Sequence, residues 1–404
     1  MKKNVPPPQE KELKKIALAS SVEKPGEVAF YYGFSPIETP SINAEDGKRA
    51  RGVAKSAGIQ DDKEEAYELQ EKARLLRLYM EEMDAFPQHV FFYYEKPMRG
   101  SGRRRGSNFE CGLDVIGSSK SVAEALLIQT ATAILSEEGF ENIEIAINSV
   151  GDRESLSRLE RELVAYYRRH IEELPAPYRQ AFKKDIFEIL RTTDTKLESF
   201  VVGAPQPLST LSDMSRAHFK EVLEFIESSG IPYTIDNHLV GSKQYASQTT
   251  FSISGEREGK RLVLGHGYRY NHLSRKIGLK KEIPAVGITL SWKRAGKHQR
   301  ATVVKKLPKP KFYFIHLGYN AKLKSLPVIE TLRRSKILVS HGLTKDKFSG
   351  QASTAENTKT PYLLIFGQKE AIENTVLVRD SKTRFQDTVA FASLPTHLKS
   401  ISKA

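Results

Sequence analysis

The feature that most constrains this chain is an interruption in its strand pattern. Short β-branched and aromatic runs at 90–94, 109–116 and 143–147 resume at 232–235, 249–253, 260–265 and 285–290. Between the two groups lies a charged block, 149–230, that reads as helical. One helix is expected over 154–173 and another over 214–228, the latter with Phe219, Val222, Leu223 and Ile226 on one face. Strands that enclose a helical block in this way predict an α+β sheet carrying an insertion. Two more helices are expected. Over 64–86, Leu69, Ala73, Leu76 and Met80 recur at three- and four-residue steps; 121–138 opens on Ser121 with Glu124 three residues on, the spacing of a capping box. Segment 28–40 is aromatic and ends at Pro40, so it reads as extended, and 41–62 as a loop or frayed helix.

After a basic stretch, 293–311, the pattern changes. Strands at 312–317, 337–339, 362–366, 375–379 and 388–391 alternate with helices at 320–334 and 346–357. That order predicts a small α/β unit with a partly parallel sheet. The expected organisation is a basic, Pro-containing tail (1–27), a core in two pieces (28–148 and 231–296), the helical insertion (149–230), a basic linker (297–311) and a C-terminal α/β domain (312–404).

Charge and cysteine content narrow the function. Sixty-three Lys and Arg against 49 Asp and Glu leave a formal charge of +14. Such an excess suits a polyanion, since surface charge speeds encounter and counterion release adds affinity. A soluble protein that is merely basic is the plainer reading and stays open. The single cysteine, Cys111, can form neither an intrachain disulfide nor a thiolate zinc site. No run approaches the roughly 18 apolar residues of a membrane span, and the start lacks the apolar stretch of a signal peptide. A cytoplasmic protein that meets no membrane is expected.

Common catalytic motifs are missing. No G-x-x-x-x-G-K-[ST] loop occurs; 255–260 has one residue too few between its glycines and reads as a hairpin turn. The ten histidines form no H-E-x-x-H pair, and His170, His218 and His272 read as surface or packing residues, so no metal site is expected. There is no G-x-S-x-G elbow. What stands out is 93–117, YYEKPMRGSGRRRGSNFECGLDVIG, two strands around a Gly/Arg-rich tip. Arg99, Arg103, Arg104 and Arg105 offer planar, permanent charges suited to the phosphates of RNA or of a nucleotide. A solvated loop without a partner is the competing reading. Glu95, Glu110 and Asp114 alternate along the strands, as partners for a metal or an amine or as edge-strand gatekeepers.

The order of GFSPIETP, the EKP strand with its Arg-rich loop before LDVIG, INSVGDRESL, PAVGITLSWKR and PYLLIFGQKEAIENTVLVRD resembles the histidyl-tRNA synthetases over roughly residues 28–400. These are class II aminoacyl-tRNA synthetases. The resemblance implies an antiparallel sheet core with Pro40 at a homodimer interface and a C-terminal anticodon-binding domain. It also implies a tRNA partner, and ATP with Mg where adenylation operates. By the same resemblance Gln70, Glu95, Glu110, Asp114, Tyr245, Arg269, Tyr270 and Arg294 belong to the ATP and amino-acid pocket.

The motifs depart from the family in specific places. Phe92-Tyr93-Tyr94-Glu95-Lys96-Pro97 stands where the family has F-R-x-E-R-P, so Tyr93 replaces the arginine that grips phosphate. Gly241-Ser242-Lys243-Gln244-Tyr245-Ala246 stands for R-G-L-D-Y-Y, leaving only the tyrosine. Glu68-Leu69-Gln70-Glu71-Lys72 falls on R-P-E-G-T, and Arg269-Tyr270-Asn271-His272-Leu273 on R-Y-D-G-L. Arg294 matches an ATP-binding arginine. A phenol cannot replace a bidentate cation beside a developing phosphorane, and losing one preorganised charge costs a factor of roughly 100 or more in rate. A degenerate paralogue that binds tRNA or another structured RNA is therefore expected, with no confident catalytic residue and no secure histidine site. RNA contacts would come from Arg99, Arg103, Arg104 and Arg105, and from Tyr319, Lys345, Lys347 and Phe348 in the C-terminal domain. An active histidine–tRNA ligase and a regulatory or accessory protein-binding subunit are the alternatives.

Overall fold

The computed structural model describes residues 17–60, 64–82, 89–96, 108–294 (without 177, 180, 181, 183, 184 and 193) and 301–403. Its strands in chain order are β1 (Ser21–Val22), β2 (Ser35–Pro36), β3 (Val90–Glu95), β4 (Asn108–Ile116), β5 (Glu141–Gly151), β6 (Tyr233–Ile235), β7 (Ser247–Arg257), β8 (Lys260–Arg269), β9 (Ala285–Lys293), β10 (Thr302–Val303), β11 (Phe312–His316), β12 (Val339–His341), β13 (Tyr362–Phe366), β14 (Thr375–Asp380) and β15 (Gln386–Ala390). Eight of them form the central sheet, β2-β3-β4-β9-β8-β7-β5-β6. Neighbours from β3 through to β5 are antiparallel, while β2 and β6 lie parallel to theirs at the two edges. The strand groups on either side of the helical block thus pair directly, β4 with β9 and β5 with β7. β7 and β8 meet at a tight turn whose central residues, Glu258 and Gly259, both have positive φ (54° and 70°), the geometry that matches strand twist in a two-residue hairpin.

Helices cover both faces. On the back, α1 (Lys24–Tyr31), α4 (Val122–Glu137) and the helix Asp213–Ser228 pack over Leu113, Val115, Ile147, Phe251, Ile253, Ile288 and Leu290. On the front, α2 (Ala44–Ser56) and α3 (Glu64–Glu81) pack over Phe92, Tyr94, Tyr268 and Tyr270. The insertion has its own core, in which α5 (Arg153–Arg169) presents Leu156, Leu159, Leu163 and Tyr167 to Ile186, Phe187, Leu190 and Val201.

The hinge into that insertion explains the sequence VGDRES. Asp152 caps α5 by accepting from Ser155 N–H at 2.9 Å, and its other oxygen accepts from the Ser212 hydroxyl at 2.7 Å. Ser212 caps the helix Asp213–Ser228 through Ser215 N–H, and the Ser215 hydroxyl accepts from Asp152 N–H at 3.0 Å. Two helix N-termini are tied into one knot. Gly151 (φ 71°) admits no side chain here, since a Cβ would lie 2.5 Å from Ser155.

The C-terminal sheet, β12-β11-β13-β14-β15, is parallel on one side of β13 and antiparallel on the other. Its helix Tyr319–Arg334 sends Leu326 and Ile329 into the back core of the central sheet. Polar contacts reinforce this. The Tyr32 hydroxyl donates to Glu330, Arg333 reaches Glu137 at 3.1 Å, the His341 ring meets the Tyr32 carbonyl at 2.9 Å, and Asp346 bridges Lys120 and Lys322 at 2.5 and 2.7 Å.

Several expectations need correction. Residues 28–31, expected as extended, and 24–27, expected as tail, form one helix, because Pro25 sits in the first turn, where its missing N–H costs nothing, and Val28 and Ala29 turn into the core. Residues 44–56 form a full helix, capped by Asn43 accepting from Asp46 N–H. In the segment expected to be tail, Ser21–Val22 pairs with Thr302–Val303 from the expected linker, and Val22 is buried. Helix α3 ends at Glu81, and residues 83–88 lie outside the described residues. No capping box opens α4. The Ser121 hydroxyl donates to Glu221, and Glu124 is buried in a two-pronged pair with Arg269, at 2.7 and 2.5 Å, with His218 at 2.7 Å.

Two predictions arise. Asp152→Ala removes one cap and loosens the other, and is expected to lower stability by about 2 kcal/mol in denaturant unfolding, with the insertion losing protection first; an unchanged midpoint would contradict the knot. Burial opposes ionisation of Glu124, yet Arg269 and His218 hold its carboxyl at about 2, below its ordinary 4.5. The unfolded chain therefore binds this proton first, so the pair's stability is present above about pH 4.5 and lost as pH falls toward 2. In Glu124→Gln that part of the acid slope should vanish, and an unchanged slope would contradict the assignment.

Candidate functional site

Strand alternation divides the pocket residues between the two faces of the sheet. On β3 and β4 the pairs are Phe92↔Asp114, Tyr94↔Gly112 and Glu95↔Cys111. Tyr94, Lys96, Glu110 and Asp114 face the front with Tyr268 and Tyr270, under α3. Tyr93 and Glu95 face the back with Phe109 and Cys111.

At the front lies a fully buried ion pair. Lys72 Nζ and Asp114 Oδ1 are 3.1 Å apart, and both side chains are 0% exposed. Asp114 also accepts from the Tyr270 hydroxyl at 2.7 Å and the Tyr94 hydroxyl at 3.1 Å. The ammonium lies 4.8 Å from the Tyr270 ring centre and 5.3 Å from that of Tyr268, with Glu68 at 3.3 Å. Burial pushes the Asp114 carboxyl up, and Lys72 and the tyrosine donors pull it back. Beside it Lys96 joins Glu71 at 2.8 Å and Glu110 at 2.9 Å. Burial also raises Glu71, and against its own burial Lys96 is held above the usual lysine range by these carboxylates. Glycines make the room: a Cβ on Gly287 would fall 1.9 Å from Asp114 and 2.7 Å from Lys72 Nζ, and one on Gly112 would enter the Tyr94 ring.

Tyr245 joins this front cluster, with its ring 5.2 Å from Tyr268 and its phenol pushed up by burial. Gln70 does not, since its amide donates to Ala66 O in its own helix and its oxygen accepts from Arg51. Gly241 lies in a tight loop where a Cβ would sit 2.4 Å from that of Ala246, leaving no space for a longer side chain without backbone movement.

The remaining pocket residues are at the back. The Tyr93 hydroxyl donates to Glu95 at 3.1 Å, and Glu95 also accepts from Glu23 N–H at 2.9 Å. Arg294 pairs with Glu23 at 2.7 Å, and its guanidinium lies 4.4 Å over the Phe109 ring. Arg269 is also on this side, in the pair with Glu124 and donating to Ser118 O at 2.8 Å. Among the described residues no group of three or more His, Cys, Asp or Glu could hold a metal ion. No described helix is long and apolar enough to cross a membrane.

Of the expected RNA contacts, Arg99, Arg103, Arg104 and Arg105 lie outside the described residues. Lys345 donates to Thr354, while Lys347 is exposed at the start of the helix Phe348–Thr358, next to a half-exposed Phe348. Tyr319 donates to Glu224. The residues that sequence reasoning missed are Lys72, Tyr94, Lys96, Glu68 and Glu71. For Lys72 a signal existed, because it falls on the stripe of Leu69, Ala73 and Leu76, a lone cation on a buried helix face.

Comparison with known proteins puts this geometry in context. Residues 312–401 match the anticodon binding domain family. The histidine–tRNA ligase of Fervidobacterium nodosum is 29% identical over 385 residues, 89% of each chain. The Bacillus subtilis histidine–tRNA ligase is 30% identical over 304 residues, 74% of this chain and 70% of its own length. Among solved structures, apo S. aureus histidyl-tRNA synthetase aligns with 92% of this chain and 93% of its own, at 20% identity and a TM-score of 0.49. The antiparallel core with its appended anticodon-binding domain is the class II synthetase arrangement that the sequence motifs implied. By the extent and level of its likeness to these ligases, the chain belongs to the histidyl-tRNA synthetase family.

Proposed function

We propose that this chain is a catalytically degenerate member of its family that works by binding tRNA or another structured RNA, as a homodimer in the cytoplasm. The observation that carries the reading is the Lys72–Asp114 pair, a cation of the chain's own in the front pocket. The back of the sheet adds to it, with Tyr93 in the phosphate-gripping position and Arg294 closed onto Phe109 and Glu23. Without two arginines and the Gln244-position carboxylate, the charge that develops in adenylation lacks its partners.

RNA binding is supported by the +14 charge and by the match of 312–401 to anticodon-binding domains. Lys347 and Phe348 stand together at a helix start, a cation for phosphate beside a ring for a splayed base. Arg99, Arg103, Arg104 and Arg105 extend the reading to the segment between β3 and β4. Dimerisation is proposed from the resemblance to histidyl-tRNA synthetases, which puts Pro40 at the interface. The competing reading, an active histidine–tRNA ligase, draws on the 89% overlap with such an enzyme.

The test is tRNA affinity against salt. Affinity should fall steeply, and neutralising Arg103, Arg104 and Arg105 together should reduce the log–log slope by about 2, at roughly 0.7–0.9 per phosphate contact. A salt-independent affinity, or no binding at low salt, would contradict the proposal. Tyr93→Arg is expected to restore no amino-acid activation, because Gly241 is unchanged. Full recovery in that single variant would overturn the degenerate-site reading.

A further inference from the structure

We propose that the front pocket is an ammonium-binding site whose occupant is the Lys72 side chain, and that shortening Lys72 opens it to a free primary amine. This rests on the degenerate-site reading only for its biological sense. The physical argument stands on the pocket.

A buried cation asks for an oriented carboxylate, aromatic faces and exclusion of water, and each is present. Asp114 meets Lys72 Nζ at 3.1 Å and is itself aimed by the Tyr94 and Tyr270 hydroxyls, which leave an acceptor for the cation. The Tyr270 and Tyr268 rings stand 4.8 and 5.3 Å from the nitrogen. Glu68 supplies a second carboxylate at 3.3 Å, and among the described residues its Oε1 has no hydrogen-bond partner besides this ionic contact. Gly287 forms the floor, at a position where any side chain would strike both members of the pair.

Nothing in this set recognises the lysine backbone or its place in α3. It recognises an –NH3+ group on an apolar stem. The stem enters from the buried stripe of α3, so truncation at Cβ leaves a slot with the length of a short alkylamine that ends on Asp114. Without a cation, the buried Asp114 carboxylate loses its ion pair, and the partly buried Glu68 loses its contact at 3.3 Å. A small alkylammonium ion would restore both the charge and the volume. The device keeps free amines out of a pocket still built to hold them.

The test is thermal unfolding of the full chain with propylammonium and butylammonium chloride, at matched chloride and with butanol as a neutral control. Lys72→Ala should melt below the parent protein and regain several degrees, saturably, with either amine, but not with butanol. The parent, with its site filled, should show no such shift. Where Lys72→Ala fails to fold unaided, refolding yield with and without butylammonium gives the same readout. The double variant Lys72→Ala, Asp114→Asn should lose the response. No amine effect, an equal effect of butanol, or an undiminished response in the double variant would each overturn the proposal. None of these outcomes depends on RNA binding or amino-acid activation, so this inference can fail while the proposed function stands.

Discussion

The Lys72–Asp114 pair governs the arrangement of the front half of the protein. Taking two charges out of water costs several kcal/mol per ion, and the attraction between them recovers this only with good geometry and further hydrogen bonds. The requirement reaches into several separate elements. Helix α3 must present Lys72 on its buried stripe, β4 must turn Asp114 forward, β3 and the end of β8 must supply the two phenols, and β9 must have glycine at 287. Each is a constraint on register. Slipping β4 by one residue would bury Leu113 against Lys72 and send Asp114 into the apolar back core.

The same alternation separates the residues of the family motifs. Tyr94 and Lys96 serve the front network, while Tyr93 and Glu95 join Glu23 and Arg294 behind the sheet. Arg269 follows this logic, since it is one residue from Tyr270 and on the opposite face, where it anchors α4 through Glu124. The site is thus two networks back to back, and buried polar networks whose members are paired favour one rigid arrangement. Rigidity of this kind suits a scaffold that holds RNA-binding surfaces in place, and the contacts of Tyr32, Glu137 and Lys120 with the C-terminal unit extend it across the chain.

Much of the architecture was legible in sequence because its signals are local. The insertion betrayed itself by charged helical periodicity between strand runs, and the 255–260 turn by its glycines. The helix face of Phe219, Val222 and Ile226 was plain from spacing and is buried as expected. Other parts were decided by tertiary contacts. The aromatic residues of 28–34 look strand-forming, yet Tyr32 and Phe34 are buried at the end of a helix that Pro25 begins. The Ser121–Glu124 spacing fits a cap, but a carboxylate that meets a buried arginine gains more than one that reaches back to its own helix start. Gln70 aligned with a family carboxylate, while the helix that carries it turns Lys72 toward the site instead. Which face a residue serves depends on register across the sheet, and a period-two reading of 92–96 against 110–114 would have separated the two networks in advance.

The central claim is that this chain's own side chains fill and disarm the adenylation site. It is tested most directly by histidine-dependent ATP–pyrophosphate exchange on the purified, folded protein beside an intact histidyl-tRNA synthetase. The account predicts no exchange above background at any histidine concentration, from a protein that still binds tRNA. Exchange that saturates with histidine would contradict it, and would mean that Lys72 leaves the pocket and that arginines elsewhere in the chain take up the work of positions 93 and 241.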